Sequence, residues 1–140
     1  MATAKRVALI TGGAKGIGRA IARHLASSGW RLGIIDLPGN ELHRACAPGR
    51  NIVSLEGDVR DEAFVAGAVE TLRRRLGRLD GVVSNAGIMI HKPLRRLALA
   101  EWHRVIDTNL TAAFLLARAA EKALRHARGA MVTIASTRAR

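Results

Sequence analysis

The sequence predicts an α/β protein built on a doubly wound parallel sheet, from three observations. Short β-branched runs alternate with longer stretches of helical periodicity along the chain, a glycine-rich turn joins the first run to the first helix, and an aspartate closes the second run. Alternation of this kind implies parallel strands joined by right-handed crossovers, with helices on both faces. No internal repeat or low-complexity linker interrupts it, so residues 1–140 are expected to form a single domain.

Arg6–Ile10 reads as the first strand. Ile17–Ser28 follows as a helix with Ile17, Ala20, Ile21 and Leu25 on one face, ended by Gly29. Arg31–Asp36 is a second strand, and Glu41–Ala47 a short helix closed by Pro48 and Gly49. Ile52–Glu56 is a third strand. Asp61 then starts a helix running to Leu76, which Gly77 stops. Gly81–Ser84 is a fourth strand, Ala100–Arg128 a long helical stretch ended by Gly129, and Ala130–Ala135 a fifth strand. Truncation of the sheet after this strand would leave it as an unpaired apolar edge.

The chain is 49% hydrophobic, in the range of a globular domain. Its single cysteine, Cys46, rules out an internal disulfide and suits a reducing, cytoplasmic setting. No apolar run approaches the roughly 18 residues of a membrane span; Thr111–Ala117 is stopped by Arg118. The N-terminus lacks the pattern of a signal peptide. A formal net charge of +12 raises the question of nucleic acid. Most of the cations are spread along helical faces, however, and the dense run Arg73–Arg75 closes a helix, where it complements the negative end of the dipole. With 3% aromatics and no tyrosine there is little from which to build a base-stacking platform. The five histidines show neither metal-ligand spacing nor a nucleophile partner, so no metal site is expected.

The segment Thr11-Gly12-Gly13-Ala14-Lys15-Gly16-Ile17-Gly18 lies between the first strand and the first helix. Glycines there let the backbone turn tightly and approach a pyrophosphate, which the free N–H groups and positive end of the helix would attract. Asp36 stands 18 residues beyond Gly18, close to the separation of about 20 at which a carboxylate meets the adenosine ribose hydroxyls. A carboxylate there repels a 2′-phosphate and favours NAD. Lys15 could attract that phosphate, which leaves NADP open.

With these motifs the sequence resembles the short-chain dehydrogenase/reductase family. Thr11–Gly18 matches the family's Thr-Gly-x-x-x-Gly-x-Gly, and Asp58-Val59 matches the pair that receives the adenine ring. Ser84-Asn85-Ala86-Gly87 is similar to its Asn-Asn-Ala-Gly, with Ser84 in place of the first asparagine. Asn109 fits the helical active-site asparagine, and Ser136 the serine that hydrogen-bonds the substrate carbonyl. The resemblance implies a Rossmann-like fold and a homo-oligomer. It also implies hydride transfer between a nicotinamide dinucleotide and a small-molecule alcohol or carbonyl. Cofactor contacts would fall to Gly12, Lys15, Gly16, Ile17, Gly18, Asp36, Asp58, Val59, Asn85, Ala86 and Gly87, and catalytic roles to Asn109 and Ser136.

In the family a Tyr-x-x-x-Lys pair follows the serine and supplies general acid–base catalysis, typically worth about 10²–10⁴ in rate. This chain has no tyrosine. It is therefore expected to be the N-terminal, cofactor-binding part of such an enzyme, incomplete at its C-terminus and inactive alone. The alternative is a non-catalytic dinucleotide-binding or interaction module. The segment Ile88–Leu97 is expected to border the substrate pocket without naming its ligand.

Overall fold

The structure, a computed structural model, describes residues 5–42 and 51–136. Five strands, β1 (Val7–Thr11), β2 (Arg31–Asp36), β3 (Ile52–Glu56), β4 (Gly81–Ser84) and β5 (Ala130–Thr133), form one parallel sheet in the order β3-β2-β1-β4-β5. The helices are α1 (Gly16–Ser27), α2 (Glu62–Leu76), α3 (Leu99–Ile106) and α4 (Ala112–Ala127). Beyond Leu42, the short helix expected at Glu41–Ala47 lies outside the described residues.

Every residue of the central strand β1 is buried, as a parallel strand covered on both faces requires. Its alternate side chains separate two cores. Val7 and Leu9 join Ile35, Val53 and the apolar faces of α2 and α4 on one side. Ala8 and Ile10 join Leu32, Ile34 and α1 on the other.

Local signals account for both ends of α2. The Asp61 carboxylate accepts the Phe64 N–H at 3.1 Å and starts α2, and Gly77 ends that helix in the left-handed region at φ 79°. One helix end and one helix face differ from expectation. At the end of α4 the left-handed residue is Arg128 (φ 52°), not Gly129. Gly129 is needed for another reason: a Cβ there would stand 2.3 Å from the Asp80 carbonyl oxygen, to which Ala130 donates. The left-handed turn therefore falls one residue early, on a side chain for which it costs roughly 1 kcal/mol. In α1 the buried residues are Gly18 and Ala22, flanked by Ile21 and Leu25, while Ile17 and Ala20 are exposed. Gly18 brings the helix against the Gly12 carbonyl and Asn85, so the buried face is turned from the one predicted.

The predicted 100–128 helix is likewise interrupted. Between α3 and α4 a π-turn spans Asp107–Thr111 and carries Asn109. Such turns inside α-helices occur frequently at functional sites.

Among the described residues β5 is bonded on one side only, to β4, with Val132 and Ile134 exposed. An exposed apolar edge templates pairing with other chains. The purified chain is expected to show a slow, concentration-dependent rise in light scattering that Val132→Lys suppresses. An unchanged rise would locate the association elsewhere.

Candidate functional site

A cleft of about 510 Å³ opens at the carboxyl ends of the strands. Its position follows from the topology. The chain builds β1, β2 and β3 outward in one direction, then crosses back to place β4 on the other side of β1. The loops after β1 and β4 diverge at this reversal and leave a crevice, the usual ligand position in open α/β sheets.

The structure brings Gly12, Lys15, Asp36, Asp58, Val59, Asn85, Ala86 and Gly87 onto the walls of this one cleft. They come from four loops spread over 76 residues of sequence, Gly12 to Gly87 inclusive. Gly16, Ile17 and Gly18 stand behind the wall, in the first turn of α1. Whatever they offer a ligand is main chain, because Ile17 points its side chain to solvent and the glycines have none. First-turn N–H groups have no acceptor within their own helix, and no side chain caps α1.

The loop after β1 has no slack. Gly16 takes φ 55°, which glycine adopts without strain. Gly18 packs so closely that a Cβ would lie 2.1 Å from the Gly12 carbonyl oxygen and 2.5 Å from Asn85 Nδ2. Asn85 in turn straps the loop to β4: its Nδ2 donates to the Thr11 and Gly12 carbonyls, both at 3.1 Å. The buried Thr11 hydroxyl accepts the N–H groups of Asn85 at 3.0 Å and Ala86 at 3.1 Å. Thr11 thus positions both loops, a role visible only once residues more than 70 apart in sequence come together.

Asp36 is buried and held by three hydrogen bonds. One carboxylate oxygen accepts the Ala14 N–H at 2.8 Å, and the other accepts the Leu37 N–H at 2.8 Å and the Asn40 amide at 2.5 Å. The aspartate therefore ties the glycine loop to β2 while placing negative charge in the cleft. Asp58 accepts from Arg60 through its main-chain N–H at 2.9 Å, Nε at 2.9–3.0 Å and Nη2 at 2.5 Å. The Arg60 side-chain bond, opposed by partial burial, holds the Asp58 carboxyl below its ordinary pKa.

Asn109 is not on the cleft wall; its amide binds the main chain of Ile88 instead. Its Oδ1 accepts the Ile88 N–H at 2.8 Å and its Nδ2 donates to the Ile88 carbonyl at 2.9 Å. This two-point clamp fixes the strand that leaves Gly87, and Ile88 lines the cleft. Ser136 is exposed, just past β5, and is not on the cleft wall. Ser84, at the position of the family pattern's asparagine, is buried at the end of β4, and its carbonyl accepts the Ile134 N–H. Of the segment Ile88–Leu97, only Ile88 lines the cleft.

Arg60, Arg104 and Thr108 also line the cleft and belong to none of the motifs. Arg104 and Thr108 are four apart, hence on one helical face, and Thr108 Oγ1 donates to the Arg104 carbonyl at 2.8 Å. Two polar residues at that spacing just before Asn109 were the available signal. Among the described residues no cluster of His, Cys, Asp and Glu could hold a metal, and no helix is long and apolar enough to cross a membrane.

The fold and the cleft together define a class: an open α/β domain with a ligand crevice at the switch point of its sheet. The chain belongs to the short-chain dehydrogenase family, whose model matches residues 6–140. It is 37% identical to levodione reductase of Leifsonia aquatica over 134 residues, covering 91% of this chain and 50% of that protein. A short-chain dehydrogenase/reductase from Brucella melitensis, described as a glucose/ribitol dehydrogenase, superimposes with a TM-score of 0.87 at 31% identity. That match covers 98% of this chain and 60% of the other. An alcohol dehydrogenase from Thermococcus sibiricus, solved with 5-hydroxy-NADP, gives a TM-score of 0.85 at 30% identity, covering 92% and 57%. The chain spans about half the length of the curated relatives it matches.

Proposed function

We propose that this chain forms the cofactor-binding part of an NAD-dependent oxidoreductase that interconverts an alcohol and a carbonyl. The observation that supports it most is the single cleft onto which the glycine loop, Asp36, Asp58-Val59 and Asn85–Gly87 converge. Levodione reductase, the alcohol dehydrogenase and the glucose/ribitol dehydrogenase are named for reactions of this kind.

The residues present fit a dinucleotide. A side chain at Gly18 would push the glycine loop out of place, and the uncapped first turn of α1 leaves Gly16, Ile17 and Gly18 N–H donors for a pyrophosphate. Asp36 has acceptor capacity beyond its three bonds, enough for a ribose hydroxyl. Arg60 keeps the Asp58 carboxylate charged and aimed beside Val59 for the adenine end. Asn85 and Asn109 act as positioning residues, fixing the backbone of Gly12 and Ile88 on either side of the crevice. Ser136 is the proposed contact to the substrate carbonyl. The nicotinamide, when bound, would accept or deliver the hydride; the acid–base step belongs to the whole protein.

Binding of NADH, followed by quenching of the two tryptophans, tests this reading. Saturable binding is expected. A folded chain that shows none at about 1 mM NADH would refute it. Asp36 also makes a selectivity prediction. The chain is expected to bind NADH at least about tenfold more tightly than NADPH, and Asp36→Asn to narrow that ratio by removing the charge that a 2′-phosphate would meet. Equal affinities in the unmutated chain would mean that Asp36 does not select against the 2′-phosphate.

A cytoplasmic setting and a homo-oligomer belong to the same proposal. The single cysteine supports the first. Exposed Leu99, Trp102, Leu110 and Phe114 along α3 to α4 support self-association, which light scattering coupled to size exclusion would measure as a discrete multiple of 15.0 kDa.

A further inference from the structure

At the opposite edge of the sheet, where the strands begin, a second recess of about 510 Å³ is lined by Arg31, Arg78, His126 and Arg128 with the backbone of Leu76 and Gly77. Its cations come from the start of β2, the α2–β4 connection and the end of α4. They share the space with the carboxyl ends of α2 and α4, which together contribute roughly one negative charge. Asp80 contributes one more and is engaged by Arg78 through Nε at 2.8 Å and Nη2 at 2.5 Å. Arg31 donates Nη2 to the Leu76 carbonyl at 2.6 Å. Three arginines against about two negative charges leave a surplus near +1 before His126 is counted.

Arg128 supplies that surplus. No carboxylate among the described residues pairs with it, and its backbone sits in the left-handed region that favours glycine. The left-handed backbone at this position disfavours an arginine, whereas the negative carboxyl end of α4 favours a cation there. Asp80 takes the Nε and Nη2 of Arg78, and Leu76 takes Nη2 of Arg31, whose Nε is buried, so the Nη1 groups of both arginines remain as donors for an oxyanion.

We infer that this recess is an anion site that takes the phosphate group of a small molecule, with Arg128 as its principal cation. The inference does not depend on the cofactor reading, since the two clefts lie at opposite ends of the strands. Inorganic phosphate is the probe, titrated into the ¹⁵N-labelled full chain at low ionic strength and followed by amide chemical shifts. Saturable shifts are expected at Gly77, Arg128 and Gly129, separate from any at Gly12–Gly18. Arg128→Gly should weaken the first set at least about tenfold and leave the second unchanged. The same variant should melt a few degrees higher in phosphate-free buffer, roughly the gain from relieving one left-handed residue. Glycerol phosphate in place of inorganic phosphate distinguishes an esterified ligand, for which it binds more tightly, from the free ion, for which it binds more weakly. The inference is overturned if shifts are confined to Gly12–Gly18, if equimolar chloride reproduces them, or if Arg128→Gly leaves them intact. A lower melting temperature for that variant would overturn it too, by making Arg128 a structural cap.

Discussion

Gly18→Ala is expected to destabilise the chain by about 3 kcal/mol, the upper end of overpacking effects, and to lower its melting temperature on the order of 10 °C. The added methyl would meet backbone and a locked amide rather than the free end of a flexible side chain. It would lie 2.1 Å from the Gly12 carbonyl oxygen and 2.5 Å from Asn85 Nδ2, the atom that straps the loop to β4. Relief would require the glycine loop to move, so NADH binding should be lost along with stability. Gly16→Ala is the control. Nothing lies within 4 Å of a Cβ there, so only the left-handed φ of 55° opposes the substitution, at roughly 1–2 kcal/mol. Melting curves of the two variants separate the reasons for the two glycines. A Gly18 variant no less stable than the Gly16 variant would refute the close approach.

The second large effect is expected at Asp80. This buried carboxylate accepts the Val7 N–H at 2.9 Å at the start of the central strand and binds Arg78 by two hydrogen bonds. Asp80→Ala leaves the Val7 donor unsatisfied within the sheet, a loss of about 1–3 kcal/mol from that group alone. Burial works to raise the Asp80 pKa, but the Arg78 and Val7 hydrogen bonds and the charges of Arg78 and Arg6 outweigh it and hold the carboxyl below its ordinary value. A carboxyl depressed in the folded state contributes stability that is complete above its unfolded pKa, about 3.9 for aspartate, and is lost as pH falls through the folded value. Asp80→Asn should therefore flatten the dependence of the urea midpoint on pH below about 4 and change its slope little above about 5. An unaltered acid limb would mean that the Arg78 pair adds nothing to folding.

The class of fold, the chain order of its five strands and the location of the glycine loop were legible in the sequence. Each rests on local information: β-branched runs, helical periodicity and residues such as Asp61 and Gly77 that act on their own backbone. The convergence of Gly12, Asp36, Asp58 and Asn85 on one crevice followed from alternation, because parallel strands place the loops after them at a common edge.

What stayed hidden depended on distance or on close approach. Periodicity showed that Ile17, Ala20, Ile21 and Leu25 share a face, but only packing decided that Gly18 and Ala22 are the buried ones, because Gly18 sits against the Gly12 carbonyl and Asn85. Gly129 reads as a helix terminator; tertiary contact with Asp80 shows that it is a point of passage, with the left-handed turn displaced onto Arg128. The strap from Asn85 to Thr11, the clamp of Asn109 on Ile88 and the basic recess around Arg128 join residues far apart in the chain, and spacing carries no record of such meetings. Sequence alone determined the family pattern and the sheet, because both are written in local chemistry. Tertiary structure decided which glycines are steric and which conformational, and where charge accumulates, because those depend on which atoms the fold brings together.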